Sequence, residues 1–268
     1  MSITKLVLPV AGLGKRLLPL TNRTPKNLIK VCGRPLLEYV LGEAVGSSIK
    51  EVVLIVNPRH GRRFEAYVRG AGKKFPFKFH IRAQATPGGN GHAIVQAYDL
   101  LKNAPFVVRF CDDIITGHRP MTPSLIKLFN LYKAPIVLLE RVPEKLVSRF
   151  GVVATKGRAV RASKGVGGKI HRIGKIVEKP LLEDAPSNLT IVGGYVLTPH
   201  IIGNLKSIAE TLPVIAEDAL PLAVALQMGL IMGEKIYGWE FQGRRFDCGT
   251  LESLRRAERA FAANGIEV

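Results

Sequence analysis

The chain has 268 residues, of which 47% are hydrophobic and 7% aromatic, and its 39 Lys and Arg against 21 Asp and Glu give a formal net charge of +18. This composition excludes a disordered or collagen-like chain, and the length is sufficient to bury a core without crosslinks. Three scattered cysteines, Cys32, Cys111 and Cys248, exclude a disulfide framework and a zinc cluster. No apolar run approaches the roughly 18 residues of a membrane span, so we expect a cytoplasmic protein without membrane contact.

The first half of the chain alternates short strands with longer helices. Runs rich in Val, Ile, Leu and Phe predict strands at residues 5–10, 51–57, 77–82, 106–110 and 135–141. Apolar residues at helical spacing predict helices at residues 35–45, 62–69, 90–101 and 123–132. This alternation indicates an α/β fold, doubly wound, with a mostly parallel, Rossmann-like sheet.

After Arg141 the pattern changes to strand-like pieces separated by Gly, Lys and Pro. These pieces are residues 150–155, 159–163, 169–178 and 188–197, and helices are predicted at 199–208, 215–227 and 250–263. Gly165 to Gly168 are interpreted as a turn, because no helix follows them. We expect a small mixed β lobe that extends the same sheet, a C-terminal helix, and a single domain over residues 1–268.

Most of the positive charge lies in two stretches of the sequence. Residues 57–82 and 156–179 each contain eight basic residues and one acid. Such runs usually form solvated surface segments, and the alternative is that they bind a polyanionic partner. Neither stretch interleaves aromatic with basic residues as single-strand binding platforms do, since Phe75, Phe77 and Phe79 alternate as in a half-buried strand. We therefore expect that nucleic acid is not a partner.

The segment after the first strand, AGLGKRLLPLTNRTPK, contains two glycines and four basic residues. Open α/β sheets bind ligands beyond the carboxyl ends of their strands, and glycines let backbone N–H groups approach an anion. The segment lacks the GK[ST] of a Walker loop and the third glycine of a dinucleotide fingerprint. It therefore predicts a phosphate-binding loop or, alternatively, an ordinary tight turn.

Carboxylates lie at two further positions where a strand ends or a helix begins. Asp112 and Asp113 follow the strand at 106–110, and Asp247 precedes the last helix. Carboxylate oxygens suit Mg²⁺ together with water and phosphate, whereas capping of a turn is the alternative. The adjoining Cys111 and Cys248 are interpreted as small buried residues, not as nucleophiles.

Two other segments carry polar side chains with both a functional and a structural interpretation. VEKP places Glu178 and Lys179 at a strand end, where they contact a sugar phosphate or form a surface ion pair. GGNGH opens a helix and offers N–H donors or a flexible cap, and His92 is interpreted as structural and not as a general base.

The following motifs occur in a specific order and spacing along the chain: AGLGKRLLPLT–PK, GGNGHA, CDDI, FGVV, VEKP, APSNLTIVGGYVLTP and FDCG. This order resembles that of the sugar-nucleotide pyrophosphorylases, particularly the bacterial UTP–glucose-1-phosphate uridylyltransferases. The resemblance runs from about Leu6 to the C-terminal helix. It implies a nucleotidyltransferase that joins a nucleoside triphosphate, UTP, to a sugar 1-phosphate, glucose 1-phosphate, and releases pyrophosphate. It also implies Mg²⁺ as cofactor, a homo-oligomer, a nucleotide-binding half in residues 1–141 and a sugar-phosphate-binding half in residues 142–268.

The resemblance also implies roles for individual residues. Arg16 and Lys26 would offset charge on the departing pyrophosphate, and Lys179 would hold the sugar phosphate for attack. Asp112 and Asp247 would be the metal ligands. The residues implied to bind substrate are Ala11, Gly12 and Gly14 at the triphosphate, Gln84 and Gly89 at the base, and Gly151, Glu178 and Gly193 at the sugar.

Departures from the family pattern leave alternatives open. Lys15 stands where the family usually has Thr or Ser, and Asn27 stands where uridylyltransferases usually have a Glu that helps to recognise uracil. The helical insertion is shortened at residues 64–78, and residues 216–224 replace polar by apolar residues, both in regions that help subunits pack. The alternatives are a pyrophosphorylase for dTTP or another sugar 1-phosphate, a non-catalytic sugar-nucleotide-binding paralogue, and a basic polyanion-binding protein.

Overall fold

The computed structural model describes residues 2–117, 119–211 and 219–264. The strands are β1 (Lys5–Pro9), β2 (Lys30–Val31), β3 (Arg34–Pro35), β4 (Glu51–Val56), β5 (Lys78–Ala83), β6 (Phe106–Arg109), β7 (Asp113–Thr116), β8 (Ile136–Arg141), β9 (Gly151–Arg161), β10 (Lys169–Glu178), β11 (Leu189–Leu197), β12 (Tyr237–Glu240) and β13 (Arg244–Asp247). The α-helices are α1 (Leu36–Ala44), α2 (Gly61–Lys74), α3 (Gly89–Val95), α4 (Tyr98–Leu101), α5 (Met121–Tyr132), α6 (Pro199–Thr211), α7 (Leu222–Ile231) and α8 (Leu251–Asn264). No helix within these ranges is long and apolar enough to cross a bilayer.

A large mixed sheet runs through the described residues in the order β5-β4-β1-β6-β11-β8-β12-β10-β9. The strands β5, β4, β1 and β6 pair in parallel, as a Rossmann-like half requires. The remaining strands mix directions, because β11 runs antiparallel to β6 and β8, whereas β12 is parallel to β8 and antiparallel to β10. The predicted α/β fold with a mixed β lobe and a C-terminal helix is thereby confirmed.

Helices cover both faces of this sheet, which explains why its central strands are apolar throughout. In β1, Leu6 and Leu8 face a core that includes α1, α2 and α5, whereas Val7 faces a second core with α3, α6 and α7. Side chains alternate between the faces of a strand, so a strand covered on both sides needs apolar residues at every position.

A third apolar cluster lies beneath the C-terminal helix. Phe261 of α8 packs against Tyr39 and Phe246, with ring centroids 5.6 and 5.1 Å apart. The same cluster holds Ile114 of β7 and Cys248, which follows β13. It therefore anchors the two-stranded β7–β13 sheet, whose register pairs Asp113 with Asp247, against the main body.

Several elements depart from the sequence prediction, among them α2, which extends to Lys74, and the unpredicted short strands β2 and β3. The predicted helix at 90–101 is two helices, α3 and α4, and the strand pieces at 150–155 and 159–163 are one strand, β9. The short strands β7, β12 and β13 have too little periodicity to be predicted from sequence. Of the helix predicted at 215–227, residues 215–218 lie outside the described residues, and α7 begins at Leu222. The turn at residues 165–168 is confirmed.

The two basic stretches lie at opposite edges of the main sheet, one on α2 and β5 and the other on β9 and β10. In the first stretch, Lys74 pairs with Glu38 and Arg82 with Asp99. In the second, like charges stand opposite each other across the strands. These opposed residues are Arg172 with Lys156, and Lys169 with Arg161.

Candidate functional site

The loop after β1 and the turn after β6 meet in one cluster of charged side chains. β1 and β6 are neighbours in the sheet, so the segments that leave their carboxyl ends start side by side. Lys26, at the end of the loop, donates from Nζ to Asp112 Oδ2 at 2.5 Å. The Lys26 side chain is 12% exposed and that of Asp112 31% exposed, so this pair lies at the mouth of a partly open site.

The loop takes a conformation that position 14 can adopt only as glycine. Gly14 has φ +64°, and a Cβ there would lie 2.7 Å from Thr21 Cγ2 and 3.1 Å from Lys26 Cβ. Thr21 Oγ1 donates to the Gly14 carbonyl at 3.0 Å, which fixes this turn. Ala11 is buried, whereas Gly12 is exposed with open space where a Cβ would be. The loop therefore leaves a path for an anion to the backbone at Gly12.

Asp112 stays ionised because cations surround it. Burial by itself raises the pKa of Asp112, but the Lys26 ammonium, with a smaller contribution from Arg16, brings that pKa below its ordinary value. An Arg16 guanidinium nitrogen lies 3.2 Å from where a Cβ on Gly249 would be. The structure thus brings Arg16, Lys26 and Asp112 together, as the sequence predicts.

Asp247 reaches the same cluster through the β7–β13 pairing. Its register partner on β7 is Asp113, next to Asp112 in the chain. The backbone of the turn is fixed by two hydrogen bonds, from Cys248 N to the Asp112 carbonyl at 2.7 Å and from Gly249 N to Asp247 Oδ1 at 2.7 Å. Asp112 and Asp247 are 135 positions apart in sequence but adjacent in the fold.

The donor set at this turn fits Mg²⁺ and does not fit a metal that needs a full protein cage. Among the described residues there is no group of three or more His, Cys, Asp and Glu able to hold a metal ion. Two carboxylates, one ionised and partly exposed, beside Arg16 and Lys26 leave the other ligand positions to water and phosphate. Mg²⁺ keeps several waters and commonly takes one or two carboxylates plus substrate phosphates. Asp112 and Asp247 are therefore the residues able to hold it.

The predicted base-reading residues form a compact unit after β5. Gln84 Nε2 donates to the Gly89 carbonyl at 3.0 Å and lies 3.1 Å from His92 Nδ1. His92 also contacts the Gln96 side chain at 3.1 Å, and burial lowers the pKa of His92. A neutral imidazole held between two amides orients Gln84, so the structural interpretation of His92 agrees with this geometry.

The predicted sugar residues Glu178 and Gly151 stand opposite each other on β10 and β9. A Cβ on Gly151 would lie 3.1 Å from Glu178 Oε2, so the glycine leaves room for that carboxylate. Lys179 follows with φ +46°, and its N–H donates to the Phe150 carbonyl at 3.0 Å. This left-handed backbone turns the chain at the strand end and directs Lys179 differently from a regular strand residue.

Gly193 lies in an irregularity of β11, between Val192 and Tyr195, where the register with β8 shifts. Its N–H donates to Asp113 Oδ2 at 3.1 Å, and a Cβ there would lie 2.7 Å from that oxygen. Burial raises the pKa of Asp113 to about 6, although the guanidinium of Arg245 opposes the shift and the Asp112 charge adds to it. The sugar-side glycine and the carboxylate turn are thus in direct contact.

Two arginines at the site do not figure in the sequence prediction. Arg109 is fully buried and pairs with Glu43 at 2.5 Å, and Arg245 bridges Glu140 and Asp113. The only sequence signal for Arg109 is a charged residue within the apolar run FVVRF. Arg245 lies two residues before Asp247, so the two side chains are on the same face of β13. This relation can be recognised only once the strand is known.

The cysteines beside the carboxylates are buried, as the sequence predicts. Cys111 and Cys248 have no exposed surface. Burial raises the pKa of the Cys248 thiol to about 12, with contributions from Asp112 and Asp247, and burial also raises that of Cys111. A thiolate is the reactive form of cysteine, so neither residue is poised as a nucleophile.

Known proteins resemble this chain over nearly its whole length. A sequence model described as "Nucleotidyl transferase" matches residues 5–264. A UTP–glucose-1-phosphate uridylyltransferase from Streptococcus pyogenes is 31% identical over 270 residues, which cover 92% of this chain and 84% of the relative.

Solved structures share the fold. A UDP-glucose pyrophosphorylase in complex with UDP-glucose matches with a TM-score of 0.83 at 28% identity, covering 97% of this chain and 99% of that one. A putative glucose-1-phosphate thymidylyltransferase from Bacillus anthracis matches with a TM-score of 0.79 at 25% identity, covering 100% and 97%.

Proposed function

Because this chain belongs to the nucleotidyl transferase family, we propose that it joins UTP to glucose 1-phosphate, giving UDP-glucose and pyrophosphate. The observation that carries the proposal is the 2.5 Å contact between Lys26 and Asp112. It unites a glycine-containing basic loop with an ionised carboxylate turn in one partly open site. The similarity to uridylyltransferases over most of the chain supports the choice of substrates.

The proposed reaction requires the site to bind two polyanionic substrates, UTP and glucose 1-phosphate, close together. Two unit charges at about 4 Å interact by roughly 4 kcal/mol at an effective dielectric of 20, so cations must offset the repulsion. Arg16 and Lys26 would bind the β- and γ-phosphates, and Lys179 would hold the sugar phosphate. A bound Mg²⁺, held by Asp112 and Asp247, would supply further charge neutralisation.

The reaction is an in-line displacement in which these residues orient the reactants. A phosphate oxygen of glucose 1-phosphate attacks the α-phosphorus, the bond to the β-phosphate oxygen breaks, and pyrophosphate leaves. The attacking oxygen is already ionised at neutral pH, so no side chain has to remove a proton. Catalysis then rests on positioning and charge stabilisation by Arg16, Lys26 and Lys179.

A second candidate nucleotide substrate is dTTP, and the identity of residue 27 favours it. Asn27 is only 4% exposed and directly follows Lys26 at the site. A neutral amide both donates and accepts hydrogen bonds, whereas the Glu usual at this position in uridylyltransferases only accepts when ionised. The structural similarity to a putative thymidylyltransferase keeps this candidate open.

A pyrophosphate-release screen of UTP, dTTP, ATP, GTP and CTP against several sugar 1-phosphates tests the proposal. We expect the highest kcat/KM with UTP and glucose 1-phosphate. The Asp112→Asn variant, purified in parallel, controls for contaminating phosphatases. A preference for dTTP would select the second candidate, and no turnover with any pair would favour a non-catalytic binding protein.

A further inference from the structure

We infer that Arg245 is a positioning residue for the sugar-phosphate half of the site, an inference that rests on the function proposed above. Arg245 lies on β13, and its side chain is 10% exposed. Its Nε donates to Glu140 Oε2 at 2.5 Å, and its Nη1 donates to Asp113 Oδ1 at 2.8 Å. The planar guanidinium thus connects the end of β8 with the carboxylate turn in a fixed geometry.

The Asp113 branch of this network reaches the backbone of Gly193. The second carboxylate oxygen of Asp113 accepts the Gly193 N–H at 3.1 Å. Any side chain at position 193 would collide with that carboxylate, since a Cβ would approach it to 2.7 Å. Arg245 therefore fixes the irregular segment of β11 through Asp113.

A separate branch holds the other side of Gly193. Its carbonyl accepts from Arg109 Nε at 3.1 Å and from Phe110 N at 3.0 Å, and Arg109 belongs to the fully buried pair with Glu43. This branch does not depend on Arg245. We therefore expect loss of Arg245 to shift the β11 segment locally while the sheet around it persists.

Arg245 also contacts the segment that leads into the other predicted sugar residues. Its guanidinium carbon lies 5.4 Å from the centre of the Phe150 ring. Phe150 precedes Gly151 in the chain, and its carbonyl accepts the N–H of Lys179. Arg245 is thus in contact with the supports of Gly193, Gly151 and Lys179, three residues proposed to bind the sugar phosphate.

This arrangement also separates the roles of the two adjacent carboxylates. One oxygen of Asp113 accepts from Arg245 and the other from Gly193, so its carboxylate is directed into this network. Asp112 is instead partly exposed and contacts Lys26. Asp113 therefore positions the β11 segment, and the metal-binding role belongs to Asp112 and Asp247.

Steady-state kinetics of Arg245→Ala and Arg245→Lys test this inference, with Arg244→Ala as the matched control. Arg244 is the exposed neighbour on the same strand and carries the same charge. We expect Arg245→Ala to raise KM for glucose 1-phosphate about tenfold or more, with KM for UTP changed by less than about twofold. Arg245→Lys should recover part of this loss, because lysine keeps the charge but lacks the two-pronged geometry.

Hydrogen exchange of β11 peptides gives a readout that does not depend on turnover. We expect faster exchange in Arg245→Ala, and wild-type rates in Arg244→Ala. An equal rise of both KM values, no rise of either, or wild-type exchange of β11 in Arg245→Ala would overturn the inference. If Arg245→Ala does not fold, Arg245→Lys and Asp113→Asn serve for both measurements. A wild-type protein without turnover on any substrate pair would instead refute the proposed function, and the exchange measurement would still decide the role of Arg245.

Discussion

Replacement of Glu43 by Gln tests the buried ion pair behind the site. Glu43 on α1 and Arg109 on β6 have side chains 3% and 0% exposed, and the closest nitrogen–oxygen distance is 2.5 Å. In Glu43→Gln the guanidinium keeps its charge, and its remaining neutral contacts are the Gly193 carbonyl and Thr122 Oγ1. The variant therefore leaves a buried charge without an opposite charge.

The size of the effect follows from that burial. Removing one partner of a buried ion pair costs about 3–5 kcal/mol, because the remaining charge stays desolvated. Each kcal/mol corresponds to roughly 2–4 °C in Tm for a protein of about this size, so we expect a fall of about 6–20 °C. The double variant Glu43→Leu, Arg109→Met should recover most of this loss, since both charges are gone and Phe110 N still donates to the Gly193 carbonyl.

Thermal and urea unfolding of the single and double variants complete the test. The exposed i,i+4 pair of Lys206 and Glu210 on α6 provides the control, with side chains 40% and 60% exposed. Glu210→Gln should cost less than about 0.5 kcal/mol, because solvent screens the pair. If Glu43→Gln costs no more than Glu210→Gln, or if the double variant is as unstable as the single one, the reasoning from burial is wrong.

Three further predictions concern the site and the surface charge. Asp112→Asn should lower Mg²⁺-dependent kcat by about 100-fold or more, with a smaller fall in Tm than Glu43→Gln because its ion pair with Lys26 is partly exposed, and pyrophosphate release close to wild type would refute its metal role. Lys179→Met should raise KM for glucose 1-phosphate while KM for UTP stays similar, as initial rates at low sugar phosphate will show. Arg172→Gln should raise Tm by about 0.4–4 °C at low salt, because it removes a like-charge pair with Lys156 worth about 0.2–1 kcal/mol. This gain should vanish in high salt and be absent in Arg69→Gln on α2.

Most strands of the main sheet were predictable because they have a strong local signal, whereas β12 was not. The apolar runs that form β1, β4, β6 and β8 end within one residue of the predicted positions, and β10 has the predicted bounds. Each run is short, rich in Val, Ile, Leu or Phe and ended by Gly, Pro or polar residues, so local sequence suffices. The parallel half then follows from the alternation with helices.

The β7–β13 pairing was not predictable, although it assembles the carboxylates. The strands have four residues each, contain charged side chains and pair across more than 120 positions of sequence. No local period marks them, and their partner choice depends on the apolar cluster under α8. The sequence could therefore name Asp112 and Asp247 by resemblance, but their proximity required the fold.

The role of Asp113 could not be predicted from the sequence for a related reason. Two adjacent aspartates look alike in a motif, and both follow the same strand. Their difference comes from non-local neighbours: Lys26 faces Asp112, whereas Arg245 and Gly193 face Asp113. Only these three-dimensional neighbours distinguish Asp112, which is proposed to bind the metal, from Asp113, which is proposed to position the β11 segment.

Most of the net charge of +18 lies away from the residues proposed to act at the site. Lys26 and Arg245, which contact site carboxylates, lie outside both basic stretches, which occupy opposite edges of the sheet. Of the cations proposed to act at the site, Lys179 belongs to the second stretch, as its last residue. The β9–β10 edge carries opposed like charges, such as Lys169 and Arg161, that lower stability. A charge excess placed this way attracts anionic substrates from a distance and weakens with salt, whereas the site cations act at contact distance and are screened less. Net charge is therefore a poor guide to function here, and the contacts around Asp112 and Asp113 are the informative feature.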